Sequence, residues 1–210
     1  MIMKSNQLNT LRNCSLALAL LLAGSAQAQN AVHYDAQPGG SKVKIEGTSS
    51  IHDWTVESAA VGGFMELDGA FNADLKTLTT PPKVEVNIPV RQLKSGTKAM
   101  DNVMWEHMNL TAYPTIKYRL LSFTAKAGAP SQFDAQGQLS ISGVTRTNNM
   151  AVTLERIDAN KIKVKGSTPV KMSDFGIKPP GLILGIKTGD EVKLSFEWTT
   201  AKAEKTAEAK

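Results

Sequence analysis

In Lys83-Val84-Glu85-Val86-Asn87-Ile88-Pro89-Val90, apolar and polar residues alternate without a break. Successive side chains on a strand point to opposite faces, so this run builds one face of branched aliphatics and another of Lys, Glu, Asn and Pro. Such a segment buries one side only. The same alternation recurs at Lys42 to Ile45, Thr115 to Leu120, Gln138 to Ile141, Met150 to Leu154, Lys161 to Lys165 and Glu191 to Trp198. Pro38-Gly39-Gly40, Gly62-Gly63, Asp68-Gly69, Asp158 to Lys161 and Thr188-Gly189-Asp190 fall between these runs as hairpin-scale turns. Most of the chain is expected to be antiparallel sheet.

About eight one-faced strands must close on themselves or stack as two sheets, because open edges invite aggregation. In a membrane barrel the apolar face would meet lipid. Here the polar face is rich in Lys and Glu and the segments are short, which favours a barrel with its apolar side inward. One stretch departs from the strand period: Met100, Val103, Met104, His107 and Met108 follow helical spacing and must stop before Pro114. The expected fold class is all-β, an extended antiparallel barrel of about eight strands with one short helix.

Lys4 and Arg12, the apolar stretch from Cys14 to Ala23 and the small-x-small site Ala26-Gln27-Ala28 read as a signal peptide over residues 1–28. The apolar run is about half of the roughly 20 residues needed to span a bilayer, so no transmembrane anchor is expected after cleavage. Export to a periplasm, or secretion, follows. The single cysteine, Cys14, would leave with the signal, and with it any disulfide or thiolate metal site. Residues 29–200 are expected to form one domain. Residues 201–210, made of Ala, Lys, Glu and Thr, are expected to be a mobile tail. A formal charge of +5 with no Lys/Arg-rich block gives no footprint for nucleic acid.

A catalytic set is hard to assemble. His52-Asp53-Trp54 is the one place where imidazole and carboxylate adjoin, yet strand neighbours point to opposite faces. No HExxH, GxSxG, Walker or dinucleotide motif occurs. His107 with Met100, Met104 and Met108 has the donors of a soft-metal cluster, but the same residues are the buried stripe of a helix, and packing is the favoured reading. No catalytic residue, metal or cofactor is therefore assigned. Trp105 falls off the stripe and is a candidate rim residue. The greasy segment Lys171 to Ile186 either lines a cavity mouth or plugs one end of the core.

Several stretches together resemble the YceI-like family of exported polyisoprenoid-binding proteins. They are Leu93-Lys94-Ser95-Gly96 followed by Met100-Asp101 and Tyr113-Pro114-Thr115-Ile116; Gly137 to Thr145; and Val170 to Ile177 leading into Gly189 to Leu194. Gly47-Thr48-Ser49-Ser50 with His52-Asp53-Trp54 resembles a variant found in a subset of that family. The likeness runs from about Val32 to Trp198. It departs from the commoner pattern between Met100 and Tyr113 and again between Lys178 and Ile186, which bears on the ligand more than on the fold.

The resemblance implies a lipocalin-like barrel whose apolar pore takes up an isoprenoid chain or a related amphiphilic lipid, without catalysis. On that basis Val43, Ile45, Val84, Val86, Ile88, Ile141, Val152, Leu154, Val164, Val192, Leu194 and Phe196 would supply the wall. Met104, Met108, Met172, Phe175, Leu182 and Leu184 would adapt to the chain near an opening. Plain core packing explains any one of them equally well. The competing function is a non-catalytic interaction or stress-response module with a solid core, docking through Trp105 and Lys171 to Ile186. Whether the chain forms a homodimer is left open by the sequence.

Overall fold

The computed structural model describes residues 31–78, 80–181 and 187–204. The expected signal segment, Leu182, Leu184 and the last six residues of the expected tail lie outside these. Among the described residues ten strands form: β1 Val32–Ala36, β2 Lys42–Ser49, β3 Trp54–Ser58, β4 Gly62–Leu67, β5 Lys83–Pro89, β6 Thr115–Ala125, β7 Gln132–Ile141, β8 Val144–Arg156, β9 Lys161–Lys171 and β10 Thr188–Lys202. Two helices interrupt them, α1 Gly69–Asp74 and α2 Lys98–His107.

The ten strands occupy eight positions around a closed antiparallel wall. Both β1 and β2 pair with β10, with Ala36 opposite Thr200 and Lys42 opposite Glu197. Likewise β4 pairs with β1, and β3 with β2. These four segments are two long strands, each broken once. The pairing of β1 with β10 closes the circuit. Beyond the break, Glu57 on β3 exchanges two backbone hydrogen bonds of 2.8 Å with Lys94, which follows β5. That contact covers an edge that would otherwise stand open.

The predicted alternating runs fall inside strands except at Val90, which leaves β5 and starts a 3₁₀ turn over Val90–Gln92, and the methionine-bearing helix is α2. Four details differ from the sequence reading. Thr188-Gly189-Asp190, expected as a turn, begins β10, where a register shift against β2 between Thr188 and Val192 accommodates the glycine. Gly62-Gly63 is the start of β4 and not a turn. Gly63 has φ +121°, and a Cβ there would stand 2.0 Å from the Glu85 carbonyl oxygen. Glycine is thus required by close strand approach. Asp68-Gly69 opens a second helix: Asp68 Oδ1 accepts from the Phe71 N–H at 2.8 Å as an N-cap. Six residues of α1 are too few to show a helical period, so the sequence offered only the turn-like dipeptide. Finally, β10 extends through Ala201 and Lys202, opposite Asp35 and Tyr34. Backbone pairing, not apolar content, holds those two residues, and Thr200 is fully buried with its hydroxyl donating to the Ile162 carbonyl.

The two ends of the barrel differ. At one, α1 places Phe71 against Phe123 and Phe133, whose rings stack at 4.4 Å between centroids, while Phe71 meets them edge-on. Tyr34 Oη donates to Asn72 Oδ1 at 2.6 Å, and the Arg156 guanidinium donates to the Asn72 carbonyl. This end is plugged by aromatic packing. At the other, α2 crosses between β5 and β6 and lies beside an opening.

Candidate ligand-binding cavity

An eight-stranded barrel is just wide enough for its own side chains to fill, so a hollow needs small residues facing inward. On β7 the inward run is Phe133, Ala135, Gly137, Leu139 and Ile141, with its two smallest members at mid-barrel. On β9, Gly166 sits beneath the Phe196 ring, where a Cβ would approach to 2.8 Å. The result is a narrow channel of about 100 Å³ with walls that are almost wholly hydrocarbon. Toward α2 it widens into a mouth of about 670 Å³. Ile116 and Leu194 line both spaces, which therefore adjoin. Val84, Val86, Leu120, Met150 and Phe196 face the channel and are only half-buried.

The residues singled out from the sequence divide between these spaces. Val43, Val84, Val86 and Ile88 line the channel from β2 and β5, and Val152, Leu154, Val164 and Phe196 from β8, β9 and β10. Ile45, Ile141 and Val192 face the mouth from the strands, Met104 and Met108 from α2 and its C-cap, and Met172 and Phe175 from the segment after β9. Leu194 belongs to both. Sequence reasoning missed Tyr118, Leu120 and Met150 in the channel and Met100, Val103 and Ile177 at the mouth. The first three share the inward parity of runs already recognised, so the signal was present. Lys171 to Pro180 contributes to the mouth through Met172, Phe175, Ile177 and Pro180.

The mouth is held in shape where the loop before α2 meets the helix. Asp101, in the first turn of α2, is buried and accepts from Ser95 N at 2.7 Å and Ser95 Oγ at 2.8 Å, with Lys94 Nζ 3.6 Å away. Burial opposes ionisation of this carboxyl, but the Ser95 hydrogen bonds and the Lys94 charge outweigh it and hold its pKa below the ordinary value. Trp105, a candidate for the rim, is instead pinned. Its Nε1–H donates to the Val90 carbonyl at 3.0 Å, and Lys94 and Arg91 lie 4.1 and 4.8 Å from its rings.

Polar atoms are distributed unevenly. The mouth carries Ser49, His52, Asp53, Thr55, Ser95, Thr97 and His107 among its apolar lining. In the channel, Tyr118 Oη and Trp198 Nε1 are buried without hydrogen-bond partners, and burial pushes the Tyr118 pKa up to about 12. Its ring lies across Gly137, where a Cβ would come within 2.3 Å. His52 and Asp53 do not form an imidazole–carboxylate pair: His52 Nδ1 donates to the Asp53 backbone carbonyl at 2.8 Å. Among the described residues no group of three or more His, Cys, Asp or Glu could hold a metal, and no helix is long and apolar enough to cross a membrane.

Comparison with known proteins agrees with this geometry. The chain is 25% identical over 178 residues to a UPF0312 protein of Pseudomonas putida, covering 80% of this chain and 86% of that one. A UPF0312 protein of Azotobacter vinelandii is 27% identical over 176 residues, covering 80% and 87%. Among solved structures, BcnA of Burkholderia cenocepacia superposes with a TM-score of 0.65 at 18% identity, covering 79% of this chain and 99% of that one. A polyisoprenoid binding domain from Saccharophagus degradans superposes with a TM-score of 0.61 at 13% identity, covering 82% and 99%. At such identities the structural likenesses speak for the fold alone. The YceI-like domain profile matches residues 34–200, from the first strand of the barrel to its last, and the chain belongs to the YceI-like family.

Proposed function

We propose that this protein is an exported, non-catalytic carrier that encloses the chain of a polyisoprenoid or similar amphiphilic lipid. The observation that carries the reading is a narrow hydrocarbon channel lying directly beside the wider mouth, with Ile116 and Leu194 lining both. The polyisoprenoid binding domain of similar fold supports the ligand class. Orientation follows from chemistry. A polar head in the channel would give up its water with little to replace it, whereas the mouth offers hydroxyls, two imidazoles and a carboxylate. The tail enters first and the head stays beside α2. Each shielded CH₂ contributes about 0.8 kcal/mol, so ten carbons give roughly 8 kcal/mol gross. That corresponds to about micromolar affinity before ordering costs.

The test is titration with a fluorescent isoprenoid, of the wild type and of Val152→Trp, which fills the channel. One molecule per chain is expected for the wild type, with binding at least roughly tenfold weaker in the variant, the factor that loss of about two buried CH₂ groups produces. Equal binding by a folded Val152→Trp protein would place the ligand elsewhere. The docking-module alternative gains no support, because Trp105 is engaged by Val90, Arg91 and Lys94.

A further inference from the structure

We infer that the channel takes a lipid chain that carries a hydroxyl group partway along its length, bound between Tyr118 and Asn148. This deepens the lipid-carrier reading and rests on it. Among the described residues three side-chain polar atoms are buried without a hydrogen-bond partner: Tyr118 Oη, Asn148 Oδ1 and Trp198 Nε1. The strand register brings the first two to one level of the barrel. The Tyr118 ring lies across Gly137, and its Oη stands 2.4 Å from where a Cβ of that residue would be. Gly137 pairs in turn with Asn148 on β8. Directly opposed residues carry their Cβ atoms about 4.5–5.5 Å apart, so the phenol hydroxyl occupies the place of the side chain that Asn148 lacks across the strand.

The orientation of the amide points the same way. Asn148 shares the inward parity of Met150 and Val152, which line the channel. Its Nδ2 donates to Thr168 Oγ1 on β9 at 3.3 Å, and Thr168 Oγ1 donates to the Asn149 carbonyl at 3.1 Å. Since β8 lies between β7 and β9, an amide whose nitrogen is turned to β9 leaves its oxygen on the β7 side, where the Tyr118 hydroxyl stands. Tyr118 and Thr168 both line the channel. Along β6, Tyr118 is two residues beyond Ile116, about 6.6 Å further from the mouth.

The pair of atoms selects the group. Tyr118 has a hydrogen to give, and Asn148 Oδ1 only accepts. A hydroxyl matches both at once, donating to the amide oxygen and accepting from the phenol. A ketone or an ester answers Tyr118 alone. A water molecule brings a second hydrogen, while Thr168 Oγ1 is already engaged and Leu139, Met150 and Val152 around it offer only hydrocarbon. A plain tail leaves both buried atoms unmet, which is the costly arrangement. The head group stays at the mouth.

The test compares plain octadecanoate with octadecanoates hydroxylated at successive mid-chain carbons, and with one hydroxylated next to the carboxylate, by calorimetric titration into the full chain. One mid-chain isomer is expected to bind roughly tenfold more tightly than the plain acid, the factor that two net hydrogen bonds produce. The isomer hydroxylated next to the carboxylate keeps its hydroxyl in the mouth and is expected to match the plain acid. In Tyr118→Phe/Asn148→Leu the mid-chain preference should reverse, because the hydroxyl is then buried unmet. Tyr118→Phe alone, which removes a single oxygen, should abolish the preference and serves where the double variant does not fold. No mid-chain preference in the wild type, as a water retained between Tyr118 and Asn148 would give, or an unchanged preference in folded variants, overturns the assignment. If neither the acids nor the fluorescent isoprenoid bind, the carrier reading falls and the hydroxyl site with it; binding without preference removes the hydroxyl site alone.

Discussion

Tyr118 and Asp101 show how single side chains trade stability for the shape of the cavity. Tyr118 Oη is buried with no partner, and burial raises its pKa to about 12. The folded state thus holds its proton more tightly than the unfolded chain. Its contribution is complete below the ordinary value of 10 and is lost as pH rises toward 12. Tyr118→Phe is therefore expected to be neutral or stabilising by about 1 kcal/mol in denaturant titrations, and to flatten the alkaline loss of stability. Destabilisation by that variant would mean the hydroxyl has a partner. Asp101 has the opposite sign: its pKa lies below the ordinary 3.8, so its contribution is present above that value and drains as pH falls through the lower folded one. Asp101→Ala should cost about 1.5–3 kcal/mol at neutral pH, the range for hydrogen bonds to a charged group. In acid, the difference from wild type should shrink.

At the scale of elements, the two helices define unequal ends. Phe71 on α1 is fully buried between Phe123 and Phe133, so Phe71→Ala is expected to cost about 3–5 kcal/mol. Thermal denaturation checks this, and a loss under about 1 kcal/mol would mean that the plug is loosely packed. For α2, the Lys94–Trp105–Arg91 contacts predict that Trp105 fluorescence shifts when the mouth loosens in acid, in step with protonation of Asp101. A signal constant through acid unfolding of the mouth would contradict that coupling.

The elements also show what the sequence could reveal. β5, β7 and β10 were legible because alternation runs through them with one apolar face. β1, β3 and β4 were harder, since each is half of a broken strand and too short to establish a period. Leu121 illustrates another limit: a register shift between Leu120 and Ser122 leaves it exposed and turns Phe123 inward, and no local pattern announces such a shift. The residues around the cavity were largely readable from parity. Its emptiness was not, because a filled and a hollow barrel need the same alternation. The usable clue was size: Ala135, Gly137 and Gly166 occupy inward positions where a solid core would carry larger side chains.

At the scale of the whole molecule, the described residues form a tube with one aromatic plug, one open mouth and a narrow channel walled by hydrocarbon. That shape exposes the proposed lipid-carrier role to one direct measurement: native mass spectrometry of the protein recovered from the cells that make it, followed by lipid extraction. The account predicts a mature chain beginning at Gln29 with one isoprenoid or related amphiphile bound, released on denaturation. A bare polypeptide mass, unchanged after incubation with excess isoprenoid, would contradict it.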